Sequence, residues 1–560
     1  MTINSMAFHQ KQKRHFIEYF FILIVFSSSI FFSGLDSYQL QGSGENRVAG
    51  IAAQMAISGD LVVPRLNIEP FLEKPPLYFW IGSACFNLFG INDFAARLPS
   101  ATAAVLCVFL VFFIACKAGF SNFTAFISAL ALATTTGFFS LGHNCATDMV
   151  LCLFITSSMV CFYQYSSSMQ DVTKWYWYVC FIISLSCSLL TKGLVGLAIP
   201  LSGLFAWLLL RPQFIFKEWV LLLTGIVISL IPISVWLYFL HNALGWNAVY
   251  EIVWSNNFGR FINAYGGHHE PFYFYIKSFP KHFTPWVIFL PFALAYHFVE
   301  TKEPKKKKSP IFFLLWFIAP FILLSFSSGK RGIYLLSLYP AAALLVGSAI
   351  GDILENSDAL KNIFFIPSII LIIALAFLSM GAGILFIYYK HSFLSSIVIC
   401  LPGTLLTILS CQAFCKKKFK MLFKLLVTTI SLVLFIYNIW LSPFINKDYS
   451  YKSVFEYCKK LDAKGVHVKL FKPLERIRGA SFYYLKKDLP VISDKKNMGY
   501  FIDADHNNVA LVTLGQKEHI KIPSTILLKT FIVGRIKFVF LANQNINVKT
   551  IFNHGGMEYQ

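Results

Sequence analysis

Repeated runs of about 20 apolar residues restrict the fold of this chain more than any other feature of its sequence. Of its 560 residues, 56% are hydrophobic and only 13% are charged, whereas soluble proteins carry roughly 25% charged residues. A helix of about 20 residues crosses a hydrocarbon core and satisfies its own backbone hydrogen bonds there. A run such as 363–389 does not alternate polar and apolar residues, as a membrane β-strand would. The sequence therefore predicts an all-α polytopic membrane protein.

About thirteen of these runs are predicted to be transmembrane helices. They lie at residues 16–34, 95–116, 121–141, 147–166, 175–191, 193–210, 218–240, 284–299, 310–327, 332–350, 362–389, 393–413 and 421–441. The apolar stretch 75–89 is interpreted as a juxtamembrane or re-entrant helix, because counting it as a span would move the strongest basic clusters outside. With a cytoplasmic N-terminus, the lysines at 305–308 and 416–420 lie inside, as the positive-inside rule requires.

This topology divides the chain at residue 441. Residues 1–441 form the predicted transmembrane domain, whose large outer loops cover 35–94 and 241–283. Residues 442–560 are predicted to form a small C-terminal α/β domain on the same, outer side of the membrane. Its predicted strands are short and mixed in composition, and they lie at 466–471, 480–485, 509–514 and 538–541.

Charge and cysteine content exclude other classes of function. The formal net charge of +21 would suit nucleic acid, but lysine and arginine in a membrane protein mark cytoplasmic loops and contact anionic lipid head groups. We therefore expect membrane lipids, and not nucleic acid, as partners. The 12 cysteines lie mostly inside apolar runs and show neither metal-ligand spacing nor a disulfide framework. The apolar segment after Lys11 is interpreted as a retained first helix, because no small-residue cleavage site follows Leu35.

The stretch 44–100 is the richest in chemically useful residues. Within it, Glu73-Lys74-Pro75-Pro76 precedes an aromatic run that begins Leu77-Tyr78-Phe79-Trp80. Proline is favourable at the start of a helix, and tyrosine and tryptophan suit the membrane interface. The pattern therefore holds the Lys74 ammonium at the depth of lipid phosphates.

This stretch resembles the first outer loop of GT-C glycosyltransferases in the branch of the dolichyl-phosphate-mannose–protein mannosyltransferases. It is most similar to the lipid A aminoarabinose transferases, which share a helix, Ser-Gly-Asp, proline, and then Glu-Lys-Pro with an aromatic residue. The resemblance covers about the first 350 residues. It continues at Ala146-Thr147-Asp148, Thr191-Lys192-Gly193, 258–275 (FGRFINAYGGHHEPFYFY), Pro285-Trp286, and Ser328-Gly329-Lys330 with Tyr334 and Pro340.

The resemblance implies a sugar donor linked to a polyprenyl phosphate, taken in a bacterial envelope to be undecaprenyl phosphate. The implied acceptor is lipid A or another envelope glycolipid at the periplasmic face of the inner membrane. A donor phosphate needs cations at the interface, because charge-assisted hydrogen bonds to phosphate are strong. The residues predicted to bind it are Arg47, Lys74, Arg260 and Lys330.

A carboxylate is needed to deprotonate or orient the acceptor unless the acceptor is already ionised. The resemblance implies an Asp-Glu pair at the start of the first loop, whose aspartate is the catalytic group. Here the pair is Gly44-Glu45, so Glu45 is the favoured source of the carboxylate, and Asp148 acting alone is the alternative. A second departure is Asn256-Asn257, where aminoarabinose transferases tend to have Glu-His.

The remaining candidates each have a structural alternative. Lys74 and Lys192 could merely extend their ammonium groups to the interface, and Asp148 could merely stabilise the start of a helix. Arg97 either anchors the outer end of a helix or contacts substrate. His268 and His269 are either solvated loop residues or, with Glu73, ligands of a divalent metal; no cofactor is otherwise expected.

Two other functions fit parts of the pattern. Protein O-mannosylation differs from the favoured function only in its acceptor. A lipid-linked sugar transporter would place charges at the membrane midplane, often in repeated halves. The sequence shows no internal repeat, and its ionisable residues lie at the ends of the spans. These observations favour an enzyme.

Overall fold

A computed structural model describes residues 3–168, 170–211, 215–259, 270–299, 304–356, 366–377, 393–515 and 525–546. The chain divides into two compact units. The membrane unit comprises Met1–Leu35, Glu73–Leu77 and Pro99–Leu441. The second unit comprises Asp36–Leu72, Tyr78–Leu98 and Ser442–Gln560, and it is called the outer unit after the predicted outer loop that it contains. Most of this predicted first loop and the C-terminal residues therefore belong to one body.

The membrane unit is built from helices throughout its described residues. Its α-helices are α1 (Ile3–Phe32), α4 (Asp93–Lys117, from Pro99 onward), α5 (Asn122–Ala133), α6 (Thr136–Gly142), α7 (Thr147–Ser167), α8 (Asp171–Lys192), α9 (Leu194–Leu210), α10 (Phe216–Leu244), α11 (Trp246–Tyr250), α12 (Phe274–His282), α13 (Leu290–Val299), α14 (Pro304–Phe326), α15 (Tyr339–Asn356), α16 (Ile366–Phe377), α17 (Phe393–Cys415) and α18 (Phe419–Ile436). A π-helix covers Glu251–Gly259, and 3₁₀ turns cover Trp286–Phe289 and Gly332–Leu338.

Several of these helices are apolar and long enough to cross a membrane. Within the described residues six qualify by length and composition, or seven if a bent pair counts as one span. They are Arg14–Phe32, Asp93–Lys117, Thr147–Ser167, Phe216–Leu244, Gly332–Glu355 and Phe419–Ile445, with the pair Asn122–Ala133 and Thr136–Gly142. Shorter apolar helices such as Leu194–Leu210 coincide with further predicted spans. The helical, multi-span class is confirmed, while the count of thirteen stays a prediction.

The bent pair interrupts the span that the sequence predicts at 121–141. The two helices meet at 65°. At the break, the Thr134 and Thr135 hydroxyls donate to carbonyls one turn earlier, and Thr134 Oγ1 accepts a hydrogen bond from Trp286 Nε1 at 2.9 Å. The Thr136 N–H donates to Thr284 O instead of continuing the helix. Hydroxyl groups that compete for helix carbonyls bend helices.

The outer unit contains α2 (Gly42–Ser58), α3 (Leu77–Phe89, from Tyr78 onward) and a five-stranded sheet. The first loop adds a two-stranded pair, β1 (Arg65–Leu66) and β2 (Glu69–Pro70). The later elements are α19 (Ser442–Ile445), α20 (Lys452–Asp462), β3 (His467–Phe471), α21 (Glu475–Leu485), β4 (Val491–Ile492), α22 (Lys495–Ala504), β5 (Asn508–Gly515), β6 (Thr525–Val533) and β7 (Ile536–Asn543), with a 3₁₀ turn at Lys447–Tyr449. The sheet order is β4-β3-β5-β7-β6, with β3 parallel to β4 and β5, and β7 antiparallel to β5 and β6.

Both faces of this sheet are covered by helices. Val509 and Leu511 of β5 pack with residues of α20 and α21, whereas Ala510 and Val512 pack with Met498 of α22 and its neighbours. The alternation follows from the two-residue repeat of a strand, and it places a strand between two apolar layers.

Three of the four predicted strands agree with β3, β5 and β7. The strand predicted at 480–485 is wrong, because these residues form the second half of α21. The segment ASFYYL has strand-like composition, but Gly479 gives the helix a flat face that packs against α2, and Ala480 on the same helix packs in the core with the sheet. Tertiary packing overrides a local preference of this kind.

Gly50 and Gly479 allow α2 and α21 to approach closely. A Cβ atom on Gly50 would lie 2.4 Å from Gly479 O, and one on Gly479 would lie 2.4 Å from Asn46 O. Ion pairs flank the contact, namely Arg47 Nη1 to Glu475 Oε2 at 2.6 Å and Arg478 to Glu69. The first-loop helix is therefore held to the C-terminal residues at backbone-to-backbone distance.

We predict that Gly50→Ala lowers the thermal unfolding midpoint of the full-length protein by several degrees. The new methyl group meets backbone atoms that cannot move aside, and overpacking of this kind costs about 1–3 kcal/mol. Gly44→Ala is the matched control, because it lies on the same helix with nothing within 4 Å of the added Cβ. Equal midpoints for the two variants, measured by intrinsic fluorescence in detergent, would contradict the packing described here.

Candidate functional site

A buried ion pair joins the start of α7 to the end of α8. Asp148 lies in the first turn of α7 and is 6% exposed. Lys192 is the last residue of α8, and its ammonium donates a hydrogen bond to Asp148 Oδ1. Lys192 Nζ also lies 4.6 Å from the centroid of the Tyr334 ring. A carboxylate at a helix N-terminus is stabilised by the helix dipole as well as by its cation.

Lys74 lies beside this pair. Its Nζ is 3.4 Å from Thr147 Oγ1, the side chain that precedes Asp148. The positive charges of Lys192, Lys74 and Arg331 all act on the Asp148 carboxylate. These four side chains are three cations and one carboxylate, and the Glu73 carboxyl group directly precedes Lys74 in the chain. We call these four residues the charged cluster, and its electrostatics suit an anionic ligand.

The local sequence explains how Lys192 is presented. Gly193 ends α8 with φ +67°, a left-handed conformation that glycine adopts readily. Asn257 Oδ1 accepts the Leu194 N–H at 3.0 Å, while Asn257 Nδ2 donates to Ile252 O at 2.6 Å. One of the two asparagines that depart from the aminoarabinose transferases therefore fixes the chain reversal directly after Lys192.

Lys330 lies in a backbone pocket of the membrane unit. Its Nζ donates to Ser327 O at 2.6 Å and to Glu270 O at 2.9 Å, and the residue is 5% exposed. An ammonium has three donors, so two of them are occupied by main-chain carbonyls.

The other predicted carboxylate, Glu45, lies in the outer unit and is held by Arg97. Arg97 Nε donates to Glu45 Oε1 at 2.8 Å, and Nη2 donates to Oε2 at 3.0 Å. The remaining guanidinium contacts are Tyr38 O at 2.7 Å and Gln39 O at 3.2 Å. The Gln41 N–H donates to Glu45 Oε2 at 2.9 Å. Both members of the pair are at least 95% buried.

The other predicted positions are spread over both units. Arg47 pairs with Glu475 and lies 5.3 Å from the centroid of the Phe71 ring, in the outer unit. Glu73 is half-buried in the membrane unit next to Lys74. The residues predicted at Arg260, His268 and His269 lie outside the described residues. Within the described residues, no group of three histidine, cysteine or acidic side chains could hold a metal ion.

Comparison with known proteins bears on this arrangement. A sequence model of the family described as dolichyl-phosphate-mannose-protein mannosyltransferase matches residues 14–250. A crystal structure of ArnT from Cupriavidus metallidurans bound to undecaprenyl phosphate superimposes with a TM-score of 0.73, at 17% identity, and covers 93% of this chain and 98% of that chain. The chain has the GT-C fold. The resemblance predicted from the first 350 residues is therefore confirmed.

Two curated relatives place this GT-C chain near the aminoarabinose transferases in sequence. The undecaprenyl phosphate-alpha-4-amino-4-deoxy-L-arabinose arabinosyl transferase of Erwinia tasmaniensis is 26% identical over 363 residues, which are 62% of each chain. A second transferase of that name, from Proteus mirabilis, is 28% identical over 58% of each chain. This chain thus matches less than two thirds of the length of these relatives.

Sequence reasoning singled out Lys74 and Asp148, and the structure of this GT-C chain brings them into one cluster. The sequence leaves Lys192 open between lining the donor cavity and extending its ammonium to the interface, and it does not predict Arg331 as a site residue. The signal for Lys192 was the Thr191-Lys192-Gly193 motif, in which glycine marks a helix end that presents the preceding side chain. No local signal marked Arg331, whose proximity to Asp148 depends on packing between distant segments.

We predict that Glu45→Ala lowers the unfolding midpoint of the protein strongly, because it leaves the buried Arg97 guanidinium without its carboxylate. Removing one partner of a buried pair costs about 3–5 kcal/mol. Glu69→Ala, which removes the exposed partner of Arg478 in the same unit, should change stability by less than about 1 kcal/mol. If Glu45→Ala unfolds at the wild-type temperature yet loses all transfer activity, Glu45 is a catalytic base and its pairing is not structural.

Proposed function

We propose that this chain is a glycosyltransferase that moves a sugar from undecaprenyl phosphate to lipid A or another envelope glycolipid. The charged cluster carries the proposal, because it gathers cations around one carboxylate in a chain with the GT-C fold. The names of the relatives support the donor, as does the ArnT structure bound to undecaprenyl phosphate. An alternative acceptor is a protein hydroxyl, as in the family whose model matches residues 14–250.

On the donor side, the reaction needs a stabilised leaving group. The bond between the anomeric carbon and the phosphate oxygen breaks, and its electron pair leaves with undecaprenyl phosphate. Lys74 bears on this step, since an ammonium that contacts the phosphate oxygens offsets the charge developing there. Arg47, Arg260 and Lys330 remain proposed donor-phosphate ligands, and Lys330 would approach the phosphate with the donor direction that Ser327 and Glu270 do not occupy.

On the acceptor side, an oxygen atom attacks the anomeric carbon from the opposite face, and the configuration inverts. A phosphate acceptor is already ionised and needs only to be oriented, whereas a hydroxyl must pass its proton to a base. We assign this carboxylate to Asp148, with Lys192 as a positioning residue that holds its side chain. Glu45 is the second candidate, although both of its oxygens accept hydrogen bonds from Arg97.

The predicted location in the cell, the membrane topology and the substrate pocket belong to the same proposal. The N-terminus is placed in the cytoplasm of a bacterial cell, the transmembrane domain with thirteen spans in the inner membrane, and residues 442–560 in the periplasm as an α/β domain. Glu73, Arg97, His268 and His269 are proposed to border the substrate pocket. A divalent metal near Glu73 would require the two histidines as ligands. A lipid-linked sugar transporter is the non-enzymatic alternative.

We predict that Lys74→Ala and Asp148→Ala each reduce sugar transfer by about a hundredfold or more, as expected for removal of a transition-state charge contact. Lys192→Met should reduce the rate less than Asp148→Ala, because the carboxylate is retained and only loses its position. Transfer is measured with purified protein, a labelled undecaprenyl-phosphate sugar and lipid A, followed by mass spectrometry of the product.

Lys117→Ala is the control for these variants, because Lys117 is an exposed lysine at the end of α4 and its ammonium lies 5.6 Å from the centroid of the Phe113 ring. It should transfer sugar at the wild-type rate. Near wild-type rates in both Lys74→Ala and Asp148→Ala would refute the proposed site. Labelled protein in place of labelled lipid would identify an O-mannosyltransferase, and donor movement across vesicles without product would identify a transporter.

We predict that a cysteine introduced at Ser58, beside the exposed end of α2, reacts with a membrane-impermeant maleimide in intact spheroplasts. The native Cys415 at the end of α17 is exposed and belongs to the predicted cytoplasmic side, so it should react only after permeabilisation. Labelling is read by mass spectrometry of the two peptides. Protection of position 58 in intact cells would reverse the proposed topology.

A further inference from the structure

A cavity of about 360 Å³ lies at the amino-terminal ends of the parallel strands in the outer unit. His467 and Asn508, the first residues of β3 and β5, face each other there in register. The segment 485–490, which leads into β4, forms another wall. The volume falls in the range of about 300–1,000 Å³ that is usual for small-ligand pockets. None of its lining residues belongs to the charged cluster.

One wall combines an aromatic ring with a cation. Lys469 Nζ lies 4.3 Å from the centroid of the Phe501 ring, and both residues line the cavity. Among the described residues, Lys469 forms no ion pair. A lysine that borders a cavity without a carboxylate partner can provide a charge-assisted hydrogen bond to an anionic ligand.

Other residues that line the cavity carry both signs of charge. Lys487 Nζ donates to Asp462 Oδ1 at 2.6 Å, and Asp488 lies one residue further along the chain. Burial raises the pKa of the Asp488 carboxyl above its usual value. Asn508 Nδ2 donates to Phe501 O at 2.6 Å, which fixes the amide side chain beside the cavity. The cavity thus offers ammonium, carboxylate, imidazole and amide groups around one apolar ring.

The wall formed by 488–489 is held in place by the first loop. Asn67 exchanges two hydrogen bonds with the backbone of Leu489, at 2.7 Å from Nδ2 to the carbonyl and 2.9 Å from the N–H to Oδ1. Gln54 Nε2 donates to Asn67 O at 2.7 Å and to Asp488 Oδ1 at 3.2 Å. A wall fixed before binding lowers the entropic cost of association.

We propose that this cavity binds a phosphorylated amino sugar. The apolar face of the sugar ring lies against Phe501, and the phosphate contacts the Lys469 ammonium with His467 at the rim. The amino group lies toward the carboxylates of Asp462 and Asp488. Mixed charges favour a ligand that carries both signs, and the single aromatic wall fits one sugar ring. This site goes beyond the proposed transfer reaction, and its occupancy is independent of Lys74 and Asp148.

The test uses full-length protein in nanodiscs and four probes: glucosamine 6-phosphate, glucose 6-phosphate, glucosamine and inorganic phosphate. Dissociation constants are measured by isothermal titration calorimetry. We expect glucosamine 6-phosphate to bind most tightly and each of the other three to bind at least about tenfold more weakly, which corresponds to the loss of about one charge-assisted contact. Inorganic phosphate that binds as tightly as glucosamine 6-phosphate would overturn the sugar assignment.

Substitutions of residues that line the cavity test whether glucosamine 6-phosphate binds there. Lys469→Gln and His467→Gln should each weaken the binding of glucosamine 6-phosphate. Lys469→Gln should raise the dissociation constant by about tenfold. Lys496→Gln is the matched control, because Lys496 forms a similar lysine–aromatic contact with Tyr500 on α22, at 5.8 Å, but does not line the cavity. Unfolding midpoints confirm that each variant is folded, and the exposed His467 keeps the test valid if Lys469→Gln unfolds.

Unchanged binding in both His467→Gln and Lys469→Gln would refute the site, as would an equal loss in Lys496→Gln. Lys74→Ala separates this inference from the transfer reaction. It should reduce transfer by about a hundredfold or more and leave the binding of glucosamine 6-phosphate unchanged. Loss of binding in Lys74→Ala would assign the ligand to the charged cluster and overturn the cavity.

Discussion

The buried carboxylate of Asp148 is the charge on which the polar centre of the membrane unit depends. A carboxylate among apolar helices is costly unless cations and hydrogen-bond donors surround it. Lys192 supplies the direct hydrogen bond, and Lys74 and Arg331 add charge from other segments. Three cationic side chains are thus gathered around one carboxylate, an arrangement that suits a phosphate ester.

The ion pair of Glu45 and Arg97 in the outer unit is balanced differently. Arg97 makes two hydrogen bonds to Glu45 and two more to backbone carbonyls, so one guanidinium and one carboxylate satisfy each other with no surplus charge. Such a pair fixes the start of α2 against the start of α4. The Glu45–Arg97 pair therefore stabilises the fold of the outer unit, whereas the Asp148–Lys192 pair lies in a cluster that contains further cations.

The outer unit joins two segments that are far apart in the chain. Residues of the first loop pack on α21 through Gly50 and Gly479, and they also hold the wall of the cavity through Asn67. A ligand in that cavity would therefore contact a segment whose position is fixed by the first loop. The sheet supplies the rigid base, because its central strands are covered on both faces.

The sequence by itself determined the helical membrane class, because apolar run length and backbone hydrogen bonding in lipid leave few alternatives. It also located Lys74, which directly precedes two prolines, and Asp148, which lies at the start of a helix; both are local features of the sequence. Only the tertiary structure decided that Lys192 pairs with Asp148, that Arg97 forms an ion pair with Glu45, and that residues 480–485 form a helix. Local patterns report the preferences of neighbouring residues, whereas these three outcomes depend on partners that lie tens to hundreds of residues away and meet only when the chain packs.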